Sequence, residues 1–183
     1  MQKCAIFLNG PVGVGKSSLG RALATALGGA FIDGDQHGAD GPWFASSLSA
    51  SRLIVRTGLS ALDRQPVVVI GYPVRRSGWI FFRRKFAEAS VRTLFVGLGA
   101  TYEEIVAAPR NRSFSPAEHA RIKIMIEQGY GRQAFNDVLI DAGGLAFREV
   151  VRRLVNVVVP LHVENQVRIL FQTPHLAQHA HGG

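Results

Sequence analysis

An apolar run, Cys4-Ala5-Ile6-Phe7-Leu8, leads through Asn9 into Gly10-Pro11-Val12-Gly13-Val14-Gly15-Lys16-Ser17. That octapeptide in turn opens a segment with Leu19, Ala22, Leu23, Ala26 and Leu27 on one helical face, stopped by Gly28-Gly29. No other stretch restricts the fold so tightly. A GxxxxGK[ST] loop set between a buried strand and an amphipathic helix has a physical purpose: its glycines let successive backbone N–H groups turn inward around phosphate oxygens. The helix N-terminus adds partial positive charge at the same point. Gly10, Pro11, Val12, Gly13, Val14, Gly15, Lys16, Ser17 and the following Ser18 are the expected phosphate-binding set. Lys16 would reach the β- and γ-phosphates, and the Ser17 hydroxyl would ligate Mg²⁺. The alternative is a glycine-rich turn followed by a coincidental Lys-Ser.

The rest of the chain alternates in the same way. Strands are predicted at Lys3–Leu8, Ala30–Ile32, Pro66–Ile70, Thr93–Val96 and Val138–Ile140. Helices are predicted at Ser17–Leu27, Ala45–Leu62 with a break near Gly58, Trp79–Ala89, Tyr102–Ala107 and Leu145–Val155. Ser115, Pro116 and Glu118 form a capping-box pattern, opening a helix that carries Ile122, Met125 and Ile126 and ends at Gly129. Apolar strands alternating with helices imply a parallel sheet covered on both faces. The length, 183 residues, suits one domain. After Pro160 the pattern fits a strand or a helix equally. It is amphipathic either way, so the segment is expected to pack on the domain or on a second copy. Residues 1–159 are therefore taken as the domain and 160–183 as an extension with a mobile end. In that end His175, His179 and His181 read as a solvated tail or a weak metal tract.

Composition narrows the function classes. Lys and Arg total 21 against 13 Asp and Glu, a net charge of +8, and 17 of the 21 cations are arginine. Such a surplus points to anionic partners or to a plain preference for arginine. Cys4 is the one cysteine, which excludes an intrachain disulfide and a multi-cysteine zinc site and reads as a buried thiol. No apolar stretch is long enough to span a bilayer, and no secretory signal is apparent, so the expected location is the cytoplasm.

The Gly10–Ser17 loop in this setting resembles the small P-loop kinases: shikimate kinase, gluconate kinase, chloramphenicol phosphotransferase and the nucleoside monophosphate kinases. The likeness covers about residues 3–155. It implies an α/β, three-layer P-loop NTPase fold, with a five-stranded parallel sheet in the order 2-3-1-4-5, helices on both faces and a small lid at about residues 108–116. It also implies ATP and Mg²⁺ as ligands.

A kinase acting on a hydroxyl needs a carboxylate beside the acceptor, and Asp33-Gly34-Asp35 ends the second strand, where open α/β sheets bind ligands. Asp35 is the expected base and acceptor contact, with Asp33 as a neighbour and metal partner. An Asx turn leaving the strand is the structural alternative. Asp33-Gly34-Asp35-Gln36-His37 resembles gluconate kinase, whose remaining pattern is missing after His37; the acceptor-binding arginines of shikimate kinase are missing too. The third strand ends Ile70-Gly71-Tyr72-Pro73 without the metal-directed Asp of many P-loop enzymes. Gly71-Tyr72-Pro73 with Arg75-Arg76 resembles the segment of nucleotide kinases whose Arg binds the acceptor phosphate, displaced by Val74. This makes Arg75 a substrate-binding candidate, or else one of two solvated arginines. Trp43, Phe44, Trp79, Phe81 and Phe82 belong to an acceptor pocket or to the core, Trp43 being the best pocket candidate.

Arg110 and Arg112, with the helix beyond them, resemble the lid, whose guanidinium groups clamp the transferring phosphoryl. The stretches 112–118, 127–131 and 136–137 look most like those of chloramphenicol-phosphotransferase-type ATPases. By the same resemblance, residues 140–144 border the adenine through backbone groups. Arg148, Arg152 and Arg153 read as a solvated helix face. The expected activity is transfer of the γ-phosphate of ATP to a hydroxyl of a small molecule. A polynucleotide or nucleotide kinase and a nucleotide-binding regulator without turnover are the rivals. Nucleic acid is disfavoured by the lack of an RNA-recognition motif, no membrane partner is expected, and a homodimer through the extension is left open.

Overall fold

A computed structural model of the chain describes residues 3–37, 43–107 and 113–171, without the side chains of 36–37, 43–47 and 162–171. The order is β1 (Cys4–Asn9), α1 (Lys16–Ala26), β2 (Ala30–Asp33), a 3₁₀ turn (Gly34–His37), α2 (Trp43–Leu62), β3 (Val67–Gly71), α3 (Arg76–Glu88), β4 (Arg92–Gly99), α4 (Tyr102–Ala107), α5 (Pro116–Glu127), β5 (Val138–Asp141) and α6 (Phe147–Phe171). The strands form one sheet in the order β2-β3-β1-β4-β5, every neighbouring pair parallel. This is the P-loop NTPase arrangement, and it matches the expected order.

Strand pleating divides β1 between two cores. Cys4, Ile6 and Leu8 face Leu19, Leu23 and Ala24 of α1 and Val150, Leu154 and Val158 of α6. Ala5 and Phe7 face Ile54 and Leu62 of α2 and Phe82 and Phe86 of α3. Phe7 lies with ring centroids 4.7 Å from both Phe82 and Phe95. Phe82 is fully buried in this cluster, so it belongs to the core and not to a pocket wall. Among the described residues no helix is long and apolar enough to cross a membrane.

Two helices depart from expectation. There is no break at Gly58: α2 runs unbroken from Trp43 to Leu62. Gly58 is the point where the Phe86 ring closes on the helix, since a Cβ there would lie 3.0 Å from Phe86 Cζ. Similarly, α6 continues through Pro160 to Phe171 instead of ending near Val155. Arg92 Nη1 donates to the Leu161 carbonyl oxygen, tying the helix beyond the proline to the start of β4. This resolves 161–171 as helical. The expected dimer contact falls on side chains outside the described residues, as does the histidine-bearing end, 172–183.

Candidate active site

The strand register brings Asn9, Asp33, Gly71, Gly99 and Asp141 to one edge of the sheet, the carboxyl ends of all five strands. The glycine-rich loop leaves β1 there. Gly13 (φ 81°) and Gly15 (φ 102°) take left-handed backbone, which a side chain would strain. At Gly13 there is no room for one either: a Cβ would lie 2.8 Å from Ile105 Cγ2 and 2.9 Å from Phe114 Cζ. Gly15 caps α1 without any side-chain hydrogen bond, leaving the first-turn N–H groups uncapped by any side chain.

Lys16 is 5% exposed. Its Nζ donates to the carbonyl oxygens of Gly10 (3.1 Å) and Pro11 (3.0 Å), curling back over its own loop. Burial pushes its pKa down, opposed by the negative charge of Asp35 and then Asp33, while Arg121 reinforces the fall. The lysine is thus a buried cation whose partners are two carbonyl dipoles and the nearby carboxylates. This is a site that gains by receiving anionic oxygens.

Those carboxylates stand where the sequence puts them. Asp33 Oδ1 accepts from the Asp35 N–H at 3.3 Å, so the Asx turn is present and occupies one Asp33 oxygen. Asp35 is exposed on one side, yet the protein crowding its carboxyl raises its pKa; Lys16 and Arg121 lower it and Asp33 adds to the rise. Asx geometry and a chemical role are compatible here, because the turn aims Asp35 without using its carboxylate. Among the described residues no group of three or more His, Cys, Asp or Glu could hold a metal ion. Ser17 and Asp33, the expected donors, would leave most positions around an ion to water and phosphate oxygens, which is how Mg²⁺ is ordinarily held beside a nucleotide.

Two cavities open on this edge. One, of about 770 Å³, lies between the start of α1 and the loop after β5, lined by Val14, Leu19, Ile105, Ala142, Leu145 and Phe147 among others. The other, of about 750 Å³, lies between the start of α3 and the segment after α5, lined by Arg75, Arg76, Trp79, Gln128, Tyr130 and Phe135 among others. Arg75 is not solvated freely: its Nε donates to Tyr130 Oη and its Nη2 to Gln128 Oε1 at 3.0 Å.

Three residues of the site carry no motif. Asn9, fully buried, accepts from the Val74 N–H at 2.8 Å and donates to Asn136 Oδ1 at 3.4 Å, joining the phosphate loop to both walls of the second cavity. Phe114 lies against Gly13. Arg121 acts electrostatically on both Lys16 and Asp35. Of the three, Phe114 falls in the stretch 112–118 singled out in the sequence, while Asn9 and Arg121 had no sequence signal. Arg110, Arg112 and the Trp43 side chain lie outside the described residues.

No protein-family model matches the chain. It is 40% identical over 73 residues to a shikimate kinase of Psychrobacter cryohalolentis and 36% identical over 73 residues to that of Psychrobacter arcticus. In both cases the match spans 36% of this chain and 39% of the relative's length. Among solved structures it is similar to a gluconokinase from Sinorhizobium meliloti (TM-score 0.67, 21% identity, 94% of this chain and 98% of that one). It is also similar to the Acinetobacter baumannii shikimate kinase in complex with shikimate (TM-score 0.58, 16% identity, 89% and 96%). In sheet order, phosphate loop and overall likeness, the chain has the fold of the small P-loop kinases, the group to which shikimate and gluconate kinases belong.

Proposed function

We propose that the protein transfers the γ-phosphate of ATP to a hydroxyl of a small molecule. The observation that carries this reading is the buried Lys16, desolvated within its glycine-rich loop and electrostatically coupled to the Asp33–Asp35 turn at the same sheet edge. The triphosphate lies along residues 10–18, and the cavity bordered by Ala142 and Phe147 takes the base. Lys16 leaves the Gly10 and Pro11 carbonyls for phosphate oxygens.

Asp35 orients the acceptor hydroxyl and takes its proton. The acceptor oxygen bonds to the γ-phosphorus as the bond to the departing ADP oxygen breaks. Such catalysis is mainly positioning and electrostatic stabilisation. Mg²⁺, held by Ser17 and Asp33, would supply charge neutralisation at the β- and γ-phosphates. Arg110 and Arg112 are the proposed clamps from the lid, and Arg121 adds a third cation facing the transfer. Trp43 and Arg75 are assigned to the acceptor side, Arg75 as a strut.

The test is ADP formation over a panel of hydroxylated acceptors. Lys16→Ala should abolish it while circular dichroism and the unfolding transition remain those of a folded protein. Turnover undiminished in that variant would refute the reading. A second reading, nucleotide binding without turnover, draws on the absence of a carboxylate after Ile70. It expects ATP binding and no ADP with any acceptor.

A further inference from the structure

We infer that the cavity between α3 and the segment following α5 is the acceptor site, and that it takes a flat-ringed molecule bearing an anionic group. This rests on the phosphotransfer reading above and specifies its substrate class.

Its position comes from a chain of contacts. Tyr72, in the loop between β3 and α3, packs on Gly34, in the middle of the Asp33–Asp35 turn, where a Cβ would lie 2.7 Å from Tyr72 Cδ2. Two residues on, the Val74 N–H is held by Asn9. On the opposite wall, Gly131 (φ 86°) lies so close to the phosphate loop that a Cβ would be 3.4 Å from Gly10 Cα. Both walls are therefore anchored on the phosphate loop, and one also touches the turn carrying Asp35. A molecule seated between them borders the ground where the γ-phosphate would be.

Its chemistry comes from the lining. Trp79 stacks on Phe135 with centroids 5.6 Å apart and planes 23° from parallel, and Tyr130 adds a third ring. Aromatic walls favour flat, polarisable surfaces. Among the described residues, two arginines line the cavity and no carboxylate does. They are not equivalent. Arg75 is spent on Tyr130 and Gln128, with its guanidinium 5.7 Å from the Tyr130 ring, so it holds the walls together. Arg76 is exposed, stands three residues from Trp79 on the same face of α3, and makes no ion pair among the described residues. It is the cation assigned to the ligand's anionic group. The volume of about 750 Å³ is that of an ordinary small-molecule site.

A two-by-two panel tests this on the full chain with ATP and Mg²⁺: 4-(hydroxymethyl)benzoate (flat and anionic), benzyl alcohol (flat, neutral), gluconate (anionic, not flat) and glycerol (neither). Binding is read by calorimetry and transfer by ADP formation. The expected result is that 4-(hydroxymethyl)benzoate binds at least tenfold tighter than the other three and is phosphorylated. Arg76→Ala should remove most of that advantage without changing ATP affinity, and Arg76→Lys should restore part of it. Gluconate or glycerol consuming ATP as well as the flat anion would overturn the inference and leave the kinase reading standing. Arg76-dependent binding of the flat anion with no ADP formed would overturn its assignment as acceptor. ATP failing to bind at all would remove the kinase reading, and with it the inference.

Discussion

The placement proposed for Asp35 as the base works against stability. Its carboxyl is held above the ordinary aspartate range by crowding, with Lys16 only partly offsetting this. A carboxyl whose pKa rises on folding is hardest to keep charged in the native state. Its contribution is best below the unfolded value of 3.8 and declines as the pH rises through the folded one. Above the folded value the cost is fully present. Asp35→Asn should therefore raise the thermal midpoint at neutral pH while cutting turnover about 10²–10⁴-fold, as loss of a general base does. ATP affinity should change little. The acid limb of the kcat/KM profile of the unaltered protein should lie above pH 3.8 and vanish in the variant. Melting curves beside a pH–rate profile would check both, and a variant less stable at pH 7 would contradict the sign. Lys16 has the mirrored balance, its charged form disfavoured by burial, so its removal sacrifices chemistry more than fold.

At the scale of elements, Asn9 is the joint between the phosphate loop and the walls of the cavity assigned above to the acceptor. Asn9→Leu would leave the Val74 N–H buried and unpaired, at a cost of about 1–3 kcal/mol. It should also raise KM for the acceptor more than for ATP, because α3 begins two residues beyond that bond. Denaturant unfolding and steady-state kinetics measure the two effects. Asn9 also marks the limit of sequence reading. What is local is legible: β1, α1, the apolar cores of the other strands, and the Ser115–Glu118 capping box, whose reciprocal bonds form as the spacing demands. What depends on distant packing is not. Gly58 resembles a helix break until Phe86 is seen to need the space, and Pro160 resembles a terminus until Arg92 reaches Leu161. The Asp33–Asp35 turn was readable because strand-end position and residue type coincide. Asn9, Phe114 and Arg121 were not readily so, because their partners lie 65 to 127 residues away or across a loop.

For the whole molecule, nucleotide binding should act as a brace. The phosphate loop joins the central strand to α1, and the cavity proposed for the base adds α4 and the start of α6. A ligand engaging these together stabilises the native state by about 2.7 kcal/mol at a hundred times its Kd. For a chain of this size that is a rise in thermal midpoint of about 2–4 °C per kcal/mol. Scanning calorimetry with and without ATP and Mg²⁺ should show the rise, and Lys16→Ala should lack most of it. One residue turns this into a chemical clock. Cys4, the sole thiol, is 1% exposed on the central strand, and burial pushes its pKa up to about 11. In the folded state it is neither accessible nor ionised, so a thiol reagent reaches it only when the sheet itself opens. Where reclosing outpaces alkylation, the rate of alkylation at Cys4 therefore tracks the population of the opened state. Without any engineered label, the chain reports how much of it stands open and how far each ligand lowers that fraction.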